Sequence, residues 1–257
     1  MNIAGKLMEQ VAANAAEARL VDVRIGAHWS FVAFELRENL CAGLASTLGG
    51  SESHHHGGHA PVRDAGNLLS RDAWTLAGLI NSESTIEVSI GFAAINALLE
   101  VDPAVCMEVN AADILAERGA GRSVAVVGHF PFIPDLRERV KNLWVLELNP
   151  REDDLPADQA PAILPQADVV ALTGTSLLNH TFEGLVSLCR SDAYVVMLGG
   201  TTPLSPVLFE FGVDAVSGTL LVDPVPAMLA VSQGATFRQI PGKRLLTMFK
   251  NWYPDHR

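Results

Sequence analysis

ADVVALTGTSLLNHT, residues 167–181, is the segment from which the architecture follows. Its apolar run, Val169–Leu172, carries no alternating polar residue, stops at Thr-Gly-Thr and passes into a helical pattern. A strand of that composition is buried on both faces, as in a parallel sheet covered by helices. Three other segments repeat the arrangement: SVAVVGHFPF (123–132), LWVLELNP (143–150) and AYVVMLGGTTPLSP (193–206). Short Val/Leu runs closed by Gly, Thr or Pro and followed by helical patterns spell an α/β fold with a parallel sheet. Ligands of such sheets bind beyond the carboxyl ends of the strands, where these turns lie. A small-molecule site is therefore the first expectation.

Upstream, the pattern changes. Ile3, Leu7, Val11 and Ala15 recur every four residues and predict an amphipathic helix over 2–19. Val21–Leu36 reads as one or two strands turning at Gly26-Ala27, and Asn39–Gly50 is apolar and small. Ser51–Gly66 is polar and glycine-rich, an exposed loop. Helices are predicted over 72–81, from Glu87 or Ser89 through Leu99, and over 110–117 with Asn110 as cap. Gly119-Ala120-Gly121-Arg122 reads as a linker, and a final strand-like pair surrounds Pro241-Gly242. The expected organisation is a smaller α+β domain, 1–118, followed by a Rossmann-like domain, 119–257, with a ligand cleft between them.

The chain has 257 residues, 49% of them apolar and 18% charged, the composition of an ordinary globular protein. A formal net charge of −11 argues against a nucleic-acid partner, which needs a cationic face. The basic runs at Arg137–Lys141 and Lys243-Arg244 read as solvated element ends. Three widely spaced cysteines, Cys41, Cys106 and Cys189, match no zinc-ribbon spacing and fit a reducing compartment. With no signal peptide and no membrane span in the sequence, the expectation is a cytoplasmic protein without a membrane partner.

Candidate chemistry gathers at the strand ends. Gly128-His129-Phe130-Pro131 fills the first strand-to-helix turn, where a dinucleotide fold would carry GxGxxG; the single glycine and the bulky rings argue against ordinary NAD binding. Pro131 fits the first turn of a helix, and His129 is placed as a ligand-facing base, or as a packing residue of the turn. Glu147 ends the second strand 19 residues after Gly128, near the spacing of a ribose-binding acid. Thr173, Gly174, Thr175, Asn179 and Thr181 crowd donors onto the third strand end, with Thr181 also a candidate helix cap. Gly199, Gly200, Thr201 and Thr202 repeat that logic on the fourth. No GxSxG elbow, P-loop or HExxH motif is present.

His54, His55, His56 and His59 concentrate half of the eight histidines within six positions. Imidazoles at that density bind Zn, Ni, Co, Cu or Fe, although flexible His tracts also take up metals adventitiously.

Taken in order, Glu87–Leu98, the Gly128-His129-Phe130-Pro131 turn, Ala167-Asp168 with Thr173-Gly174-Thr175, and Gly212-Val213-Asp214 with Gly218 resemble the putative heavy-metal chelation family. The resemblance covers nearly the whole chain. It implies an enolase N-terminal-like domain joined to a Rossmann-like domain, and a site to which Ser89, Gly91 and Asn96 of the first domain contribute. One departure is Gly200, where the family usually carries proline; the His54–His59 tract belongs to no family motif.

Two functions follow as expectations. The first is a protein that binds a metal or metal chelate in the cleft between its domains, in heavy-metal or metal-cofactor handling. The second is an enzyme using a nucleotide-like cofactor, with Glu147 on the ribose. Whether a reaction is catalysed stays open, and a homo-oligomer is compatible with either.

Overall fold

The computed structural model describes residues 1–49 and 60–252. These divide into two compact units: those of Met1–Val101 with Thr219–Arg244, and those of Asp102–Gly218 with the chain from Leu245 onward. This differs from the expected division at 118/119. The segment that carries the last helix returns to the first unit, and the helix over 111–119 packs within the second. Among the described residues no helix is long and apolar enough to cross a membrane.

In the first unit, helix α1 (Ile3–Glu17) starts at Asn2, whose side chain accepts a hydrogen bond from the Gly5 amide. It buries Ile3, Leu7, Val11 and Ala15, the predicted stripe. Strands β1 (Arg19–Ile25), β2 (Trp29–Leu36) and β3 (Asn39–Ser46) form an antiparallel sheet in that order. Helix α2 (Ala73–Ala77) precedes α3 (Thr85–Leu98), which is apolar all round and almost wholly buried. The approach of α3 to β3 depends on Gly43: a Cβ there would lie 2.3 Å from the Ala93 carbonyl oxygen and 2.5 Å from the Ala97 nitrogen. The other face of β2 presents Trp29, Phe31 and Ala33 to a core shared with Leu221, Ala227, Val231 and Ile240. Burial on both faces explains why β2 reads as a continuous apolar run rather than an alternating one.

The second unit holds α4 (Ala111–Gly119), β4 (Ser123–Val127), α5 (Ile133–Arg139), β5 (Asn142–Glu147), β6 (Leu155–Pro156) and α6 (Ala160–Ile163). Then come β7 (Val169–Thr173), α7 (Thr175–Leu178), α8 (Phe182–Ser187), β8 (Tyr194–Leu198) and α9 (Val207–Glu210). The last elements are β9 (Ala215–Leu221), α10 (Pro224–Ser232), which belongs to the first unit, and β10 (Lys243–Phe249). The seven-stranded sheet has the order β10-β9-β8-β7-β4-β5-β6. The pairs β4/β5, β4/β7, β5/β6, β7/β8 and β8/β9 are all parallel. The α/β class and the parallel sheet are thus as the apolar runs predict.

Val124, Val126, Val169, Ala171, Val196 and Leu198 form one sheet face, packed with Ile114 and Leu115 of α4 and Ile133 and Leu136 of α5. Each fully buried Val, Leu or Ile side chain of this set contributes about 1.5–3 kcal/mol. The Gly119–Arg122 stretch is a tight junction here. A Cβ on Gly119 would lie 2.6 Å from Val124 Cγ2, and Gly121 turns at φ +69°. The strand order reverses between β4 and β7, which opens a crevice beyond their carboxyl ends.

Candidate functional site

β4 leads into Gly128, whose φ of +105° is left-handed and whose added Cβ would lie 3.0 Å from Thr173 Cβ. Glycine therefore lets the ends of β4 and β7 close on each other. The next residue is His129. Its amide donates to Glu147 Oε1 at 3.0 Å, while Oε2 accepts from the Leu148 amide at 2.8 Å. Both oxygens of Glu147 thus hold backbone at the ends of β4 and β5. Phe130 and Phe132 stack with centroids 5.2 Å apart. Pro131 precedes the helix: α5 begins at Ile133, and Pro134 occupies its first turn instead.

A carboxylate that no sequence pattern singles out completes the histidine. Asp154, in the loop between β5 and β6, has a side chain only 1% exposed. Its oxygens lie 3.0 and 3.2 Å from His129 Nδ1, and Oδ2 also accepts from the Arg151 amide at 3.1 Å. A carboxylate only accepts, so Nδ1 carries a proton, and in the neutral ring the lone pair is on Nε2. His129 and Asp154 border an open cleft of about 500 Å³. Its other walls are Ile133, Pro134, Arg137 and Glu138 of α5, and Arg151, Glu152 and Asp153 of the loop. The Arg151–Asp154 segment carries no motif in sequence; only the fold buries one of its acids.

Where β7 passes into α7 the hydroxyls of Thr173 and Thr175 share a hydrogen bond of 3.0 Å, and Ser176 Oγ donates to the Thr173 carbonyl at 2.7 Å. Thr173 and Thr175 stay part-exposed; Gly174 is buried. A Cβ on Gly174 would lie 2.6 Å from Thr202 Oγ1 and 2.7 Å from Thr202 N, so the turns after β7 and β8 are in backbone contact. Gly199 makes the second turn possible with φ +121°, and the Thr202 amide closes it on the Gly199 carbonyl at 3.0 Å. Gly200 is buried, and Thr201 and Thr202 are each 1% exposed. Thr202 Oγ1 has no hydrogen-bond partner among the described residues. Asn179 and Thr181 engage each other: Thr181 Oγ1 donates to Asn179 Oδ1 at 2.7 Å. Thr181 begins α8 without a side-chain capping bond.

The three first-unit candidates serve the packing of their own unit. Ser89 Oγ donates to the Thr85 carbonyl at 2.8 Å, and Asn96 Nδ2 donates to the Leu44 carbonyl at 2.8 Å. Gly91 packs on the 78–81 turn, where a Cβ would lie 2.4 Å from Ile80 N. At the start of the same helix, Glu87 is a buried carboxylate gripped by Arg63. It accepts from Arg63 Nη2 at 2.7 Å, from the Arg63 amide at 2.7 Å and from Ser82 Oγ at 2.6 Å. Burial alone would raise its pKa; the bonds from Arg63 and Ser82 outweigh it and hold the group at about 2.

His54, His55, His56 and His59 lie outside the described residues. Among the described residues no group of three or more His, Cys, Asp or Glu side chains is arranged to hold a metal ion. The three cysteines are free thiols, and burial pushes Cys189 up to about 11, far from a reactive thiolate. The fourfold imidazole, thiolate or carboxylate shell that a bare ion needs is therefore not assembled there. The cleft instead presents one oriented imidazole among charged side chains.

Two family models, both described as putative heavy-metal chelation, match the chain over residues 8–99 and 110–250. An uncharacterized protein of Methanocaldococcus jannaschii is 26% identical over 220 residues, covering 82% of each chain. A crystal structure of a DUF364-family protein of unknown function from Desulfitobacterium hafniense is similar with a TM-score of 0.78 and 26% identity. It covers 96% of this chain and all (100%) of that one. A second DUF364-family structure, from Pyrococcus horikoshii, gives 0.81 at 18% identity over 96% of this chain and 100% of its own; at that identity the likeness concerns the fold alone.

Proposed function

The chain belongs to the putative heavy-metal chelation family, and from that membership we propose that it binds a metal chelate at the carboxyl edge of its parallel sheet, in heavy-metal or metal-cofactor handling. The observation that carries this reading is the His129–Asp154 pair. A ligating histidine characteristically donates its second ring nitrogen to a carboxylate, which fixes the tautomer and raises the basicity of the free nitrogen. Here the carboxylate is buried and hydrogen-bonded to Nδ1 and to backbone, and the histidine it holds follows β4, one of the two strands between which the order reverses. His129 would hold the metal through Nε2. Thr173 and Thr175 line the neighbouring strand end as hydrogen-bond donors. The metal, when bound, supplies a centre that accepts the imidazole lone pair; the protein's part is to orient that imidazole and to recognise the chelator.

A nucleotide-like cofactor is the second reading, and the reversal between β4 and β7 favours it. Against it stands Glu147, whose two oxygens already accept backbone amides.

The test is the metal content and native mass of untagged full-length protein equilibrated with nickel(II) iminodiacetate. It is repeated for His129→Ala and for a variant with His54, His55, His56 and His59 all replaced by Ala. The reading expects bound nickel that persists without the four-histidine tract and is lost in His129→Ala. Nickel that ignores His129 but vanishes with the tract would overturn it. A co-purifying, metal-free mass with nucleotide absorbance would establish the second reading.

A further inference from the structure

The rim of the His129 cleft carries an unusual mixture of charge. Arg137 projects from α5 and Arg151 from the β5–β6 loop, and both line the cleft. Neither guanidinium has a carboxylate within ion-pair distance among the described residues. By contrast, Arg63, Arg71 and Arg190 are each held by an acid. Glu138, Glu152 and Asp153 share the same rim, also without ion pairs among the described residues. These acids do not converge with His129 on a common point that could hold an ion.

The wall therefore offers two kinds of recognition side by side: guanidinium forks that match carboxylate oxygens, and carboxylates that accept N–H donors. Ile133 and Pro134 add apolar surface for a carbon skeleton. A polyphosphate is a poor match, because the acids on this rim outnumber the arginines and would repel it. A polyamine chelate would leave the arginines unused, and a polycarboxylate chelate would leave the acids unused. One class answers both. In a metal aminocarboxylate the outer carboxylate oxygens accept, and the metal-bound amines keep N–H groups that donate.

Resting on the metal-chelate reading above, we propose that the ligand is an aminocarboxylate chelate, its carboxylates taken by Arg137 and Arg151, its amine N–H groups by Glu152 and Asp153, and a water-occupied position on its metal by His129 Nε2.

The experiment is calorimetric titration of the full chain, in the four-histidine→Ala background so that the tract takes no nickel. Three nickel(II) chelates with water on their open positions are compared: iminodiacetate, citrate and triethylenetetramine. Iminodiacetate should bind at least about ten-fold more tightly than either of the others, because it alone engages both the arginines and the acids through charge-assisted hydrogen bonds. Arg137→Gln/Arg151→Gln should weaken iminodiacetate and citrate by about ten-fold and should not weaken triethylenetetramine. Glu152→Gln/Asp153→Asn should weaken iminodiacetate and triethylenetetramine and should not weaken citrate, from which it removes a repulsion. All four positions are exposed, and matching thermal melts of the variants confirm that folding is intact. If His129→Ala abolishes binding but the three chelates are not ranked this way, or the rim variants change nothing, the aminocarboxylate inference fails and the metal-chelate reading stands. If no chelate binds, or binding ignores His129, both fall.

Discussion

Replacing Asp154 by asparagine changes one atom of a buried group and tests how His129 is set. In the native site Oδ2 accepts from both His129 Nδ1, at 3.0 Å, and the Arg151 amide, at 3.1 Å, while Oδ1 faces Nδ1 from 3.2 Å. An asparagine keeps one oxygen. With that oxygen at the Oδ2 position, the Arg151 bond survives, but Nδ1 now faces a neutral acceptor at 3.0 Å and, at the Oδ1 position 3.2 Å away, a competing NH2 donor. The ring escapes by moving its proton to Nε2, so that Nδ1 accepts from the amide. The amide side chain remains hydrogen-bonded, so the fold persists, yet the nitrogen offered to a ligand has lost its lone pair. Loss of such a supporting carboxylate typically lowers metal affinity about 10–100-fold, which is about 1.4–2.7 kcal/mol. Titration with nickel(II) iminodiacetate measures the loss, and long-range proton–nitrogen NMR reads the tautomer of His129 directly. Unchanged affinity in Asp154→Asn, or a native His129 with Nδ1 unprotonated, would refute the reasoning.

Two further substitutions probe the supports of each unit. The pKa of Glu87 falls from 4.5 to about 2 on folding, so it contributes about 3 kcal/mol. For a depressed carboxylate this stability is complete above pH 4.5 and is lost as pH falls toward 2; urea unfolding of wild type and Glu87→Gln should therefore converge across that window, and a gap constant with pH would contradict it. In the second unit, Thr202→Val removes a buried hydroxyl that has no partner among the described residues. Urea unfolding should show stability unchanged or raised by up to about 1 kcal/mol, whereas a clear loss would mean that the hydroxyl has a partner in the native state.

The second unit was legible because its strands are buried on both faces: Val124–Val126 and Val169–Leu172 read as unbroken apolar runs, and the fold keeps them so. β3 was not, since Asn-Leu-Cys-Ala-Gly-Leu-Ala-Ser has little β-branched character. Its small residues answer to α3, whose backbone lies against Gly43. The same physics made Gly119-Ala120-Gly121 read as a linker: glycine marks close packing as readily as freedom, and at Gly119 the neighbours Val124 and Val140 decide for packing. The return of Thr219–Arg244 to the first unit has no local signal at all. It is written in Leu221, Ala227 and Val231 meeting Trp29 and Phe31, far away along the chain.

The site divides along the same line. His129 and the Thr173–Thr175 turn were visible because a polar residue at the end of an apolar strand is locally anomalous. Asp154 was hidden because a carboxylate among Arg151, Glu152 and Asp153 is locally ordinary, and its role exists only once the β5–β6 loop folds over the end of β4. Asn179 and Thr181 show the converse: a dense polar cluster at a strand end that spends its hydrogen bonds on itself. What separates a ligand-facing group from a turn-closing one is therefore whether its partners leave an atom free. In His129 the carboxylate occupies one nitrogen and leaves the other available; in Glu147 backbone amides occupy both oxygens. That difference is why the histidine, rather than the acid at the ribose-like spacing, is the group on which binding should depend.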